Sequence, residues 1–157
     1  MKVSELMTRK LITVSPDESV EKAVQLFRER SIRHLLVLEN DRLVGIVSDR
    51  DLMHAMEPVQ AKKKRLLNVG GLFFLLEPLE VREIMSRDVK TIAPDLSVQD
   101  AAAYMVASRF GALPVVDNDT LVGIITETDL LRYFAKSAPE FQQEGKTRQR
   151  PKSERRR

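Results

Sequence analysis

The chain has 157 residues, 43% of them hydrophobic, with 26 basic and 23 acidic side chains, two histidines and no cysteine. That length supports one compact core or two small coupled ones, and the missing cysteine excludes disulfides, thiol catalysis and cysteine-type zinc sites. The opening Met1-Lys2-Val3-Ser4-Glu5 leads to no apolar run, so no signal peptide is predicted, and a cytoplasmic protein is expected.

In chain order, Thr13-Val14 reads as a short strand before a turn at Ser15-Pro16-Asp17. Ser19 opens a helix whose Val20, Ala23, Val24 and Phe27 recur at i, i+3, i+4 and i+7 and so form one apolar face. Residues 35–38 and 43–47 read as buried strands around the turn Glu39-Asn40-Asp41-Arg42, and a second helix follows Ser48. Next comes the basic quartet Lys62-Lys63-Lys64-Arg65, read as a solvated helix face in preference to a nucleic-acid patch. The apolar stretch 66–76, broken by Gly70-Gly71, must be buried on its own chain or in a dimer contact. It ends at Glu77 and Pro78, far short of the ~20 residues that span a bilayer, so no membrane contact is expected.

Residues 81–131 then repeat residues 3–53 at an offset of 78 without a gap, with 20 of 51 positions identical. Two such copies suit half-domains related by a pseudo-two-fold axis, with a ligand cleft between them. The second helix face is Val98, Ala101, Ala102 and Met105, and Ser97 with Asp100 forms a capping-box pair that Ser19 with Lys22 does not. Each copy therefore reads as strand, helix, strand, strand, helix, an α/β (α+β) unit in which helices cover a small sheet. The expected organisation is repeat one at 1–58, a partly helical apolar linker at 59–80, repeat two at 81–135 and a tail at 136–157. That tail holds eight basic against three acidic groups, +5, while the rest of the chain holds 18 basic and 20 acidic, −2. Such a segment is expected to be disordered, and it can contact RNA or DNA nonspecifically.

The chemistry concentrates at Gly45-Ile46-Val47-Ser48-Asp49-Arg50-Asp51 and Gly123-Ile124-Ile125-Thr126-Glu127-Thr128-Asp129. A strand ends in a hydroxyl residue, a helix begins, and a carboxylate follows three positions later. One reading is a capping box worth about 1 kcal/mol. In the other, free N–H groups and the hydroxyl meet a phosphate while the carboxylate accepts the hydroxyls of a ribose. Two copies, each with Thr-h-x-Pro about 35 residues upstream, favour the ligand.

These motifs, Thr13-Val14-Ser15-Pro16 with 45–51 and Thr91-Ile92-Ala93-Pro94 with 123–129, resemble a tandem pair of CBS domains over residues 1–135, similar to the CBS part of acetoin-utilisation proteins. The resemblance implies two βαββα repeats packed by pseudo-two-fold symmetry, a disc-shaped homodimer, and a noncatalytic regulatory module that signals to a partner. Its ligands would be adenosine compounds such as AMP, ADP or ATP, with some relatives taking S-adenosylmethionine, NAD or cyclic dinucleotides. By the same resemblance, Asp51 and Asp129 hold ribose, Ser48 and Thr126 face phosphate, Thr13 and Thr91 lie beside the base, and Val14, Ile46, Ile92 and Ile124 sandwich the adenine. Arg33 and His34 would reach the phosphates of the second site, whereas the first site faces their counterparts Gly111 and Ala112 and relies on its own Arg50. The adenine nucleotide is a regulatory ligand, with no catalytic cofactor or metal expected. His34, on a strand edge, reads as a packed or ligand-facing side chain, and no His-Glu-x-x-His or Gly-x-Ser-x-Gly pattern appears, so no enzyme activity is expected. The alternative is a nucleic-acid-associated regulator acting through residues 136–157.

Overall fold

The computed structural model describes residues 1–55, 66–69, 72–75 and 79–137. Repeat one carries α1 (Val3–Leu6), β1 (Thr13–Val14), α2 (Val20–Arg30), β2 (His34–Glu39), β3 (Arg42–Ser48) and α3 (Asp49–Ala55). A hairpin of β4 (Leu66–Val69) and β5 (Leu72–Leu75) follows. Repeat two carries α4 (Val81–Ile84), α5 (Val98–Ser108), β6 (Ala112–Asp117), β7 (Thr120–Thr126) and α6 (Glu127–Ser137).

Local chemistry explains most boundaries. Ser19 Oγ accepts the Lys22 N–H at the start of α2, and Ser97 Oγ accepts the Asp100 N–H at the start of α5. Both helices end in a left-handed residue, Ser31 and Arg109. The hairpin turns place Asn40-Asp41 and Asn118-Asp119 at positive φ, a conformation that Asn and Asp tolerate better than most residues. β1 lies parallel to β2, which pairs antiparallel with β3. In repeat two the first strand shrinks to a single bridge between Ile92 and Val115 beside β6 and β7.

In the described part of the linker, Leu66 pairs with Leu75 and Val69 with Leu72 in an antiparallel ladder. Val69 and the Phe73-Phe74 pair favour strand over helix. The Lys62–Arg65 quartet and Gly70-Gly71 lie outside the described residues. α6 runs to Ser137, two residues past the expected end of repeat two.

Two apolar cores form, and each is completed by the other repeat. Val3 and Met7 pack with Ile92, Val98, Leu113 and Ile125, while Val81, Ile84 and Met85 pack with Val14, Val20, Leu35 and Val47. The orphan N–H groups at the start of each short helix are met the same way. Val3 and Ser4 donate to the carbonyls of Leu96 and Pro94 at 2.8 and 2.9 Å, and Val81 and Arg82 donate to Glu18 and Pro16 at 2.9 and 2.8 Å. The segments then cap open sheet edges, Thr8 pairing with Ile124 on β7 and Ser86 with Ile46 on β3. The repeats are thus an exchanged pair, because a four-residue helix carrying Val3 or Val81 cannot bury its apolar face on its own.

Candidate functional site

Exchange forces the chain to cross between repeats twice. Residues 9–12 pass from the edge of β7 to β1, and residues 87–91 pass from the edge of β3 to the Ile92 bridge. Each crossing forms one wall of a cleft. The first, of about 230 Å³, contains Ile46, Ser48, Arg50 and Asp51 with Val89 and Lys90 of the crossing and Arg109, Phe110 and Pro114 of repeat two. The second, of about 270 Å³, contains Ile124, Thr126 and Asp129 with Lys10, Leu11 and Ile12 of the other crossing and Ile32 and Leu36 of repeat one.

The two turns that carry the carboxylates have the same geometry. Asp51 Oδ2 accepts the Ser48 N–H at 2.7 Å and its hydroxyl at 2.8 Å, and Ser48 Oγ accepts the Asp51 N–H at 3.2 Å. Asp129 Oδ2 takes the same two donors from Thr126 at 2.9 and 2.7 Å, with a return bond of 3.3 Å. The capping box is therefore formed in both copies. It also fixes each carboxylate in its cleft through Oδ2; at Asp129 the other oxygen, Oδ1, lies 3.6 Å from Arg132.

Of the residues singled out from the sequence, Ile46, Ser48, Arg50 and Asp51 come together in one cleft, and Ile124, Thr126 and Asp129 in the other. Val14 and Ile92 are buried in the two cores and are not among the residues lining either cleft. The neighbouring Thr13 and Thr91 are exposed, and neither is among the residues lining the two clefts. The Pro16 and Pro94 carbonyls of the same motif cap the exchanged helices. Arg33 and His34 line both clefts, not the second alone, because His34 starts β2 and Arg33 immediately precedes it where the repeats meet.

The residues missed from the sequence are those of the crossings, Lys10 to Ile12 and Asp88 to Lys90, together with Arg109 and Arg132. Their signal was indirect: Val3 with Met7, and Val81 with Met85, repeat an i, i+4 apolar pair that needed a core.

The wall between the clefts is polar. Arg33 Nε donates to Asp49 Oδ2 at 2.8 Å, which holds the Asp49 carboxyl below its ordinary range. Burial lowers the His34 imidazole, against the raising influence of Asp49, Glu127 and Asp51, so the ring is neutral near pH 7. The first cleft collects Arg33, Arg50, Lys90 and Arg109 against Asp49, Asp51, Asp88 and Glu127, and Lys90 is paired with Asp88 at 2.8 Å. The second has Lys10, Arg33 and Arg132 against Glu127 and Asp129. The first cleft is thus balanced in charge, and the second carries an excess of one cation. Among the described residues no cluster of His, Asp or Glu is arranged to hold a metal ion, and no helix is long and apolar enough to cross a membrane.

Comparison with known proteins gives this geometry a context. The protein is similar to AcuB of Vibrio cholerae, a protein assigned to acetoin utilization, with 33% identity over 87% of this chain and 93% of that one, at a TM-score of 0.70. The CBS domain pair of protein MJ0100, solved with 5′-methylthioadenosine and S-adenosyl-L-methionine, superposes at 0.72 with 25% identity, covering 88% and 98% of the two chains. CBSX2, solved with AMP, superposes at 0.69 with 28% identity, covering 87% and 97%. Among curated sequences, the uncharacterized protein MJ1232 of Methanocaldococcus jannaschii is 31% identical over 89% of this chain, which spans only 42% of that protein's length. The family model for the CBS domain matches residues 3–58 and again 81–136. Two matched repeats, exchanged through their first helices and enclosing two clefts, place this chain in the CBS-domain family as a tandem pair.

Proposed function

We propose that this CBS pair is a noncatalytic regulatory module that binds adenosine-containing ligands of the AMP, ADP and ATP class and transmits their presence to a partner protein. The observation that carries the reading is the duplication of one carboxylate turn, each copy opening into its own cleft between repeats. Asp51 and Asp129 accept ribose hydroxyls through the carboxylate oxygen that the capping box leaves available. Ser48 and Thr126 lie on the phosphate side, and Ile46 and Ile124 supply apolar contact to the base beside Ile12 and Val89 of the crossings. The AMP of CBSX2 and the methylthioadenosine and S-adenosylmethionine of the MJ0100 pair support adenosine as the shared chemical element.

Calorimetric titration with adenosine, AMP, ADP and ATP tests the reading. Asp51→Ala and Asp129→Ala each remove a charge-assisted contact of roughly 1.5–3 kcal/mol, so each should weaken its own cleft about ten- to a hundredfold. Unchanged affinity in both variants would leave the turns as helix caps alone.

In the cell we place the module in the cytoplasm as a homodimer. Met53 of α3 and Leu131 and Phe134 of α6 are exposed, and Met53 and Leu131 occupy equivalent positions of the two repeats. A second reading, nucleic-acid contact, is favoured by the charge of +5 gathered in residues 136–157.

A further inference from the structure

The two clefts are separate, yet they share a wall, and the charge on that wall is not duplicated. Arg33, His34, Gly111 and Glu127 line both clefts. Arg33 is the only cationic side chain common to the two linings among the described residues. The counterpart of Arg33 in repeat two is Gly111, and there is little room there for more. A Cβ at Gly111 would stand 3.1 Å from His34 Nε2 and 3.6 Å from Glu127 Oε2. A second cation at the pseudo-two-fold axis is thus sterically disfavoured, whereas the carboxylate Asp49 has a counterpart in Glu127.

We propose that Arg33 is a single phosphate-binding cation shared by the two clefts, so that an anionic ligand in one weakens the binding of an anionic ligand in the other. This rests on the adenosine reading above. Arg33 begins bound to Asp49, which faces the Asp51 cleft alone. Its side chain is 63% exposed, which leaves the guanidinium free to swing between anions. Once it is drawn to a phosphate on one side, the other cleft keeps Glu127 on the shared wall without the opposing guanidinium. A phosphate arriving there meets a less favourable potential. An uncharged nucleoside makes no demand on Arg33, so two such ligands bind independently. Coupling of this kind is reciprocal, each cleft lowering the other's affinity by the same factor.

The test uses the full chain and two probes, AMP and adenosine, with binding at the two clefts followed by the amide resonances of Asp51 and Asp129. Asp51→Ala and Asp129→Ala supply the affinity of each cleft when the other is empty. For AMP, the second cleft to fill should bind about five- to tenfold more weakly than the same cleft does alone, toward the low end of typical couplings because Arg33 is exposed. Adenosine should show no such difference. In Arg33→Ala, adenosine should bind as before, and the AMP coupling should vanish. The inference is overturned if AMP fills both clefts independently in the unsubstituted protein, if adenosine is coupled as strongly as AMP, or if the coupling survives in Arg33→Ala. Loss of adenosine binding in Arg33→Ala would make the residue a structural support and overturn it as well. If neither probe binds the unsubstituted protein, the adenosine reading itself falls and takes the inference with it; binding without coupling defeats the inference alone.

Discussion

The sulfur of Met85 lies where a side chain on Gly45 would begin: a Cβ built on that glycine would stand 2.5 Å from it. Met7 covers Gly123 in the same way on the other repeat. Both methionines belong to the exchanged segments, so each Gly of the Gly-Ile-h-Ser/Thr motif is the landing point of the opposite repeat's first helix. Methionine is adaptable, but here it sits in a packed core and must be displaced. Gly45→Ala and Gly123→Ala should each lower the unfolding free energy by about 1–3 kcal/mol. Combining Gly45→Ala with Met85→Ala should cost less than the two changes added, since the second relieves the clash of the first. Urea unfolding midpoints of the four proteins in this cycle give the answer, and strict additivity would show that the contact is not what selects glycine.

The neutral His34 gives stability a pH dependence of defined sign. Its pKa in the folded chain lies below the ordinary value of 6.5, chiefly through burial and with help from Arg33, and in spite of Asp49, Glu127 and Asp51. The unfolded chain therefore takes up a proton that the folded chain refuses, so stability is complete above 6.5 and falls as pH drops through that value toward the folded pKa. Asp49 is held low by Arg33 and titrates below 3.8, outside this window. Thermal melts between about pH 7 and about pH 5.5 should show a decline that His34→Asn flattens. An equal decline in the variant would assign the effect to other groups.

Assembly should depend on the helices that follow the carboxylate turns. Met53 is 72% exposed, Leu131 69% and Phe134 53%, apolar side chains that a two-fold contact between copies would cover. Light scattering at micromolar concentration should give twice the 17.9 kDa chain mass. Leu131→Glu with Phe134→Glu should return it to the mass of one chain with little loss of fold. A monomeric unsubstituted protein, or a dimer unaffected by both charges, would place the interface elsewhere or remove it.

The basic segment should be separable from the fold. Because α6 runs to Ser137, truncation belongs after that residue, removing seven basic and three acidic groups. Melting should barely move, while affinity for RNA or DNA should fall and lose its salt dependence. Nucleic-acid binding that survives truncation unchanged would put the contact on the core.

Much of the fold was legible in the chain itself, because short-range rules dominate where it was legible. The spacing of Val20, Ala23, Val24 and Phe27 demanded a helix, the Asn-Asp pairs demanded tight hairpin turns, and Ser48 with Asp51 and Thr126 with Asp129 could only be short local constellations. The duplicated motif likewise announced two related sites. What local rules do not carry is which repeat a segment packs against. Val3 and Val81 are apolar in either arrangement, and only the tertiary structure sends Val3 to the second core and Val81 to the first. From that exchange follow the crossings, and from the crossings the cleft walls at Lys10 to Ile12 and Asp88 to Lys90. The same cause set Arg33 on a wall common to both clefts. Strand alternation states that neighbours face opposite ways, but the choice of which face meets a ligand is made by the surfaces that close over it.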